Sequence, residues 1–355
     1  MCRRLTLLVM LLLLANVTAC DKSTGRWDEA KAVEWGKAEG WVSGCNFIPS
    51  NAINQIEMWH SSTFSPELID SELAMAEKLG FNAMRVYLSS LVWQDEAEVF
   101  KANMEEYLKI ASSHNIRTIF VFFDDCWNAE SAIGVQPEPE PGVHNSGWVQ
   151  DPCKRFRENT EESYVVLEAY VKDILKTFSQ DKRILFWDLY NEPGNSKHGD
   201  SSLPLLEKVF AWARDVNPSQ PLSSGVWTKD SPIDSCQVVN SDIISYHNYG
   251  DLESHSAMVE RLKVYGRPMV CTEYMSRRSG STFETILPML HREGVGAINW
   301  GFVSGKTNTI FAWDEKLPDV EEPELWFHDI LRRDGTPFDE SEVKLLIEIN
   351  TSNEL

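Results

Sequence analysis

Short, nearly continuous apolar runs alternate with longer amphipathic stretches over most of the chain. In Ile184-Leu-Phe-Trp-Asp-Leu-Tyr-Asn191 the run is preceded by Asp181, Lys182 and Arg183 and followed by Glu192-Pro193-Gly194. Charge on one side and helix breakers on the other predict a buried strand of a parallel sheet covered on both faces. Comparable runs at 41–47, 81–88, 117–123, 222–227, 243–249, 268–275 and 296–301 predict seven more. Between the first two, Ser65-Pro66-Glu67 supplies a cap, a proline for the first turn and an acid at the positive end of a helix. Leu68, Leu73, Ala76 and Leu79 give that helix one apolar face, and Gly80 ends it. Helical patterns follow at 96–113, 161–178, 203–214 and about 258–264, with closing helices at 325–331 and 340–349.

Candidate chemistry gathers where the strands end. The run to Asn191 delivers Glu192 to an edge, and Pro268-Met-Val-Cys-Thr-Glu273-Tyr-Met275 ends on a second carboxylate. Asn followed by Glu-Pro-Gly is also ordinary turn chemistry with a solvated acid. Two strand-end glutamates favour paired work instead, since glycoside hydrolysis needs one carboxyl to protonate the leaving oxygen and another to attack carbon or activate water. Arg85 stands inside an apolar strand and must find an acceptor, because an unpaired buried charge is costly. His247 and Tyr249 sit at alternate positions and share one strand face.

Asn191-Glu192-Pro193, with Thr272-Glu273-Tyr274 some eighty residues later, resembles the clan A glycoside hydrolases, of the cellulase and mannanase kind, from about Gly40 to about Thr336. The resemblance implies a single-domain α/β fold, a (β/α)8 barrel, whose catalytic groups lie at the C-terminal ends of the strands. It implies Glu192 on strand four as acid/base and Glu273 on strand seven as nucleophile of a retaining reaction. Arg85 would support Glu273, Tyr249 would donate to it, and His247 would partner the acid/base or the substrate. Asn191 would bond the sugar 2-OH, and Trp300 would floor the subsite of the reacting sugar. Many clan members carry a histidine after strand three, where this chain has Asp124-Asp125. Those acids have no further ligands at metal spacing, so neither metal nor cofactor is expected. Glu192 is expected to stay protonated through its partner's negative charge and partial burial.

The chain's 355 residues, 43% of them hydrophobic, suffice for one barrel plus loops. The longest irregular stretch, 129–157, exceeds what a passive connection needs. With Trp127 before it and His144, Asn145 and Trp148 within it, it reads as a loop that binds sugar hydroxyls and stacks on pyranose rings. Trp59 in the loop after the first strand is either a sugar platform or packing under that loop. Trp227 stands near the mouth, and Asn308 lies in a Gly- and amide-rich loop over the site. The expected substrate is a β-linked carbohydrate of glucan, mannan, xylan or galactan type. A glycan-binding surface lipoprotein that has lost turnover and a transglycosylase with the same residues are the alternatives.

Arg3 and Arg4 followed by an apolar run too short to span a bilayer comfortably form an export signal. Its end, Val17-Thr18-Ala19-Cys20, resembles a bacterial lipobox. Residues 1–19 are thus expected to be removed and Cys20 lipidated, with 20–39 a tether and N-terminal segment and 40–355 the catalytic domain. The protein would sit on a bacterial membrane, periplasmic or at the cell surface, held by acyl chains alone. A net charge of −21 spread along the chain argues against nucleic acid and anionic membrane surfaces as partners. A monomer is expected. Cys45, Cys126, Cys153, Cys236 and Cys271 are an odd five. Cys126 and Cys153 flank the long loop where a bridge is feasible, whereas Cys45 and Cys271 read as small core residues.

Overall fold

The computed structural model describes residues 25–157 and 160–352. The signal segment and Cys20 lie outside the described residues. Eight parallel strands form one sheet: β1 (Ser43–Asn46), β2 (Ala83–Tyr87), β3 (Arg117–Asp124), β4 (Ile184–Asn191), β5 (Leu222–Ser223), β6 (Ile244–His247), β7 (Met269–Glu273) and β8 (Gly296–Asn299). Their order is β5-β4-β3-β2-β1-β8-β7-β6. The two ends meet through one bridge: Val226 N–H donates to Ser245 O and His247 N–H to Val226 O, each at 2.9 Å. This is the expected (β/α)8 barrel. Val42, Ala83, Ile119, Leu185, Ile243, Val270 and Ile298 pack together in its core.

Nearly every strand is buried along its whole length, which explains why its sequence lacks alternation. The strand expected at 222–227 shrinks to two residues because serine hydroxyls replace backbone pairing. Ser223 Oγ donates to Ile243 O at 2.9 Å and Ser224 Oγ to Tyr190 O at 2.8 Å.

The described residues form ten α-helices: α1 (Glu29–Glu39), α2 (Gln55–Trp59), α3 (Pro66–Lys78), α4 (Ser90–Ser113), α5 (Glu161–Phe178), α6 (Leu203–Val216), α7 (Pro232–Asn240), α8 (Leu252–Lys263), α9 (Phe283–Arg292) and α10 (Glu340–Thr351). The helix expected from residue 96 starts at Ser90 and breaks at Glu96, whose carboxylate is held by the Ser61 N–H and hydroxyl at 2.6 and 2.7 Å. Residues 325–331 do not form the expected helix. Their backbone pairs with the loop after β8 instead, Phe327 N–H to Ile310 O at 2.8 Å and Ile330 N–H to Phe302 O at 2.9 Å.

Part of the expected tether docks on the barrel. Trp27 N–H donates to Asp242 Oδ1 and Arg26 Nε to Ser241 O, both at 2.7 Å, and α1 follows. No described helix is long and apolar enough to cross a membrane. Cys45, Cys126, Cys153 and Cys271 are unbridged. Cys126 turns into the barrel mouth beside Glu192, so the bridge to Cys153 does not form; Cys45 and Cys271 are core residues as expected.

Glu72 on α3 is buried under the loop after β1, where it accepts the Ser50 N–H at 3.1 and 3.2 Å. Burial pushes its carboxyl up to about 7. The folded protein therefore binds this proton more tightly than the unfolded chain, and stability from this group falls as pH rises from about 4.3 to about 7. Glu72→Gln keeps the acceptor and removes the titration. Against the parent, the variant is expected to gain up to ~3 kcal/mol between pH 4 and pH 8, read from denaturant midpoints. A constant gap across that range would refute the assignment.

Candidate active site

Glu273 ends β7, and Glu192 follows β4 with φ of 42°, a strained left-handed backbone that non-glycine residues seldom adopt. The two stand across the C-terminal mouth of the barrel. Glu273 Oε1 accepts from Arg85 Nη1 at 2.8 Å and from the Tyr87 hydroxyl at 2.9 Å, and Oε2 from the Tyr249 hydroxyl at 2.7 Å. His247 Nδ1 lies 2.9 Å from Glu192 Oε1 and 3.5 Å from Glu273 Oε2. One oxygen of each carboxylate and this nitrogen all fall within 4.8 Å of one another. Gly225 makes room for the imidazole, since a Cβ there would lie 2.7 Å from Nε2.

Arg85 is wholly buried and holds the floor of the site. Besides Glu273 it donates to Asp188 Oδ2 through Nε at 3.0 Å and Nη2 at 2.8 Å, to Asn191 Oδ1 at 2.7 Å and to Asn46 Oδ1 at 2.8 Å. Burial opposes its charge, but Tyr87, Asp188 and Glu273 outweigh that and keep the guanidinium protonated. Burial and the neighbouring carboxylates push the Tyr249 phenol well up, so it remains a donor to Glu273.

The proton state of Glu192 differs from the expectation. Burial raises its carboxyl, but His247, Asn195 and Cys126 outweigh burial and hold it below the ordinary carboxylate value. Asn195 Nδ2 donates to Oε2, as does Cys126 Sγ at 3.3 Å. Glu192 is therefore an ionised carboxylate, with His247 Nδ1 within hydrogen-bond reach.

The acids after strand three are filled by protein donors. Asp124 accepts from Asn191 Nδ2 at 2.8 Å, the Cys126 N–H at 2.9 Å and Trp148 Nε1 at 2.7 Å, and burial pushes its carboxyl up to about 7. Asp125 accepts from the Tyr190 hydroxyl at 2.6 Å and the Gly194 N–H at 2.7 Å, and pairs with Arg157. Asp124 thereby steadies Asn191 from the end of β3.

A cavity of about 400 Å³ opens over Glu192 and Glu273, with Asn191, Tyr249, Trp300, Trp127 and Trp227 on its lining. Three expected substrate contacts are corrected. Trp59 is packed in the core edge-to-face against Phe100 and Tyr107, with Nε1 donating to Tyr87 O at 2.6 Å, so it offers no face to a sugar. Trp148 is buried behind Trp300 and does not line this cavity. Asn308 holds a loop, donating to Glu140 O at 3.0 Å and Val143 O at 3.4 Å.

Sequence reasoning passed over Tyr87, Asp188, Cys126, Asn195, Trp313 and His328. Tyr87 lies two residues from Arg85 on the same strand face, and Asp188 interrupts an apolar strand as Arg85 does, so both carried a readable signal. The other four come from loops and carried none.

The family description Cellulase (glycosyl hydrolase family 5) matches residues 43–306. No curated protein matches the sequence. Among solved structures, a single-residue variant of a GH5_18 protein from Streptomyces cattleya, in complex with Manβ1-4GlcNAc, is similar with a TM-score of 0.60 at 12% identity, covering 89% of this chain and 82% of that one. The exo-β-1,4-mannosidase Op5Man5 from Opitutaceae bacterium strain TAV5 has a TM-score of 0.60 at 15% identity, covering 93% of this chain and 61% of that one. The endo-β-1,4-mannanase from Thermotoga petrophila has a TM-score of 0.56 at 14% identity, covering 88% of this chain and 78% of that one. At such identities these likenesses speak to the fold.

Proposed function

Because the chain belongs to glycosyl hydrolase family 5, we propose that it is a retaining β-glycoside hydrolase working by double displacement, with Glu273 as nucleophile and Glu192 as acid/base. The observation that carries this reading is the carboxylate pair, whose facing oxygens lie within 4.8 Å across the mouth. Retaining sites hold their carboxyls about 5–5.5 Å apart, whereas inverting sites leave roughly 6.5–9.5 Å for a water.

Glu273 attacks the anomeric carbon as the leaving oxygen takes a proton from Glu192. Arg85, Tyr87 and Tyr249 keep Glu273 charged and aimed. Seating a sugar between the carboxylates displaces water and favours one shared proton over two bare charges, and that proton resides on Glu192. In the second step Glu192 takes a proton from water, which attacks the glycosyl-enzyme from its own side. Asn191, held by Arg85 and Asp124, is placed to bond the sugar 2-OH as positive charge develops. β-Mannosides are the first substrates to try, because the similar structures include a mannosidase and a mannanase; glucans, xylans and galactans are the comparison set.

Glu192→Gln tests the acid role. On an unactivated β-glycoside its kcat/KM is expected to drop about 10²–10⁴-fold. On a dinitrophenyl glycoside, whose leaving group needs no proton, the drop should be far smaller. Equal losses on both would remove Glu192 from that role.

Export and anchoring form part of the same proposal, supported by Arg3, Arg4, the apolar run and Ala19-Cys20. In a bacterial host the full chain should incorporate labelled palmitate and partition into detergent, and Cys20→Ala should do neither. Label retained in the variant would refute lipidation at Cys20.

A further inference from the structure

The shape of the cavity bears on which bond of a chain can be cut. Glu192 gives its proton to the leaving group, so that group must extend past the loops after β4 and β5, where Asn195, Ser196 and Trp227 line the cavity. The reacting sugar lies between Glu273 and Trp300. A further sugar on its non-reducing side would have to continue into the opposite arc, over the ends of β8, β1, β2 and β3.

That arc is walled off. The loop after β3 and the loop after β8 are tied together: Asn145 N–H donates to Thr307 O at 2.7 Å and Leu317 N–H to Gly142 O at 3.0 Å, while His144 Nδ1 meets Phe311 O at 2.9 Å. Gly142, at φ of 64°, permits the closest approach, because a Cβ there would collide with the Leu317 carbonyl. The loop after β8 is also pinned to the loop after β1 by Lys306, whose N–H donates to Ser50 O at 3.0 Å and whose Nζ pairs with Glu57 at 2.7 Å.

Behind Trp300, the rings of Tyr87, Trp148 and Trp300 meet edge-to-face with centroids 5.0, 5.6 and 5.9 Å apart. Only about 20 Å³ remains free there, room for one water and no sugar ring. Trp313, His144 and His328 complete the wall, with ring centroids 5.3, 5.4 and 6.2 Å apart. Burial holds His144 at about 4 and lowers His328 as well, so both imidazoles are neutral at pH 7. Among the described residues, the two glutamates are the only charged groups lining the cavity.

We propose that this cavity accepts one uncharged terminal sugar, so that the enzyme acts from the non-reducing end of a β-linked chain and releases monosaccharides one at a time. The proposal rests on the glycosidase reading above. Its test uses β-1,4-linked manno-, gluco- and xylo-oligosaccharides of six units labelled at the reducing end, with aryl β-glycosides of the same sugars alongside.

At under a tenth of conversion, the accepted series should yield free monosaccharide and a labelled chain one unit shorter. Trp148→Ala, which empties the arc beside Trp300, should then begin to release disaccharide. Early internal fragments from the parent, with the aryl glycoside still cleaved, would overturn end-on action and leave the glycosidase reading standing. No cleavage of either substrate type, with Glu273→Ala indistinguishable from the parent, would overturn both.

Discussion

Glu273→Ala is expected to lose turnover by on the order of 10⁴-fold or more, and to regain it in part when azide is added with an activated aryl glycoside. The side chain ends β7 at a position held by Arg85, Tyr87 and Tyr249, and its removal leaves a small anion-sized vacancy on one face of the sugar. Azide entering there forms its bond to the anomeric carbon from the nucleophile's side while the aryloxide leaves, so the product is the α-glycosyl azide. Glu192→Ala should give the opposite result: Glu273 still forms the glycosyl-enzyme, azide displaces it from the other face, and the β-glycosyl azide accumulates. Proton NMR of the anomeric centre distinguishes the two. A β-azide from Glu273→Ala would reverse the two roles, and an absence of rescue in both variants would argue against double displacement.

Arg85→Met should be the most destabilising single change in the site. Arg85 and Asp188 are both wholly buried, and Arg85 also holds Glu273 and the amides of Asn46 and Asn191. Losing the cation leaves two carboxylates in a poorly solvating interior, and breaking such a buried pair costs about 3–5 kcal/mol. Urea or guanidinium unfolding should show that loss. In the fraction that remains folded kcat should fall more than KM, because Arg85 touches Glu273 and does not line the cavity. Adding Asp188→Asn to Arg85→Met should recover part of the stability and none of the rate. Near-parental stability of Arg85→Met would mean that the floor of the barrel is better hydrated than its packing implies.

Much of this site was legible in the chain because strand chemistry is local. An apolar run that stops on a carboxylate places that carboxylate at a sheet edge wherever the strand sits, which is how Glu192 and Glu273 announce themselves. A charge inside such a run must meet its opposite, and Arg85 does so with Asp188 and Glu273. The same logic located β4 to the residue, because Asp181, Lys182 and Arg183 before it and Pro193-Gly194 after it cannot join a buried strand.

What escaped depends on contacts between residues far apart in the chain. Trp59 and Trp313 look alike in sequence, yet Trp59 is sealed under the loop after β1 while Trp313 reaches the cavity through a loop fastened to residues 142–145. Nothing near either tryptophan in the chain encodes that difference. The charge on Glu192 is of the same kind. Its burial, read alone, favours a proton, and the balance reverses only when His247 and Cys126 arrive from two distant segments to join neighbouring Asn195.

The sequence by itself determined the alternation of buried strands and helices, the two strand-end carboxylates and the buried arginine, since each follows from which residues a strand can bury and which it must expose; the barrel came from the resemblance that these motifs carry. The tertiary structure alone decided which aromatic rings line the cavity, which contacts hold Glu192 charged and where the mouth is closed. Those depend on how loops distant in sequence pack together, and hydrophobic periodicity within a segment carries no information about its partner.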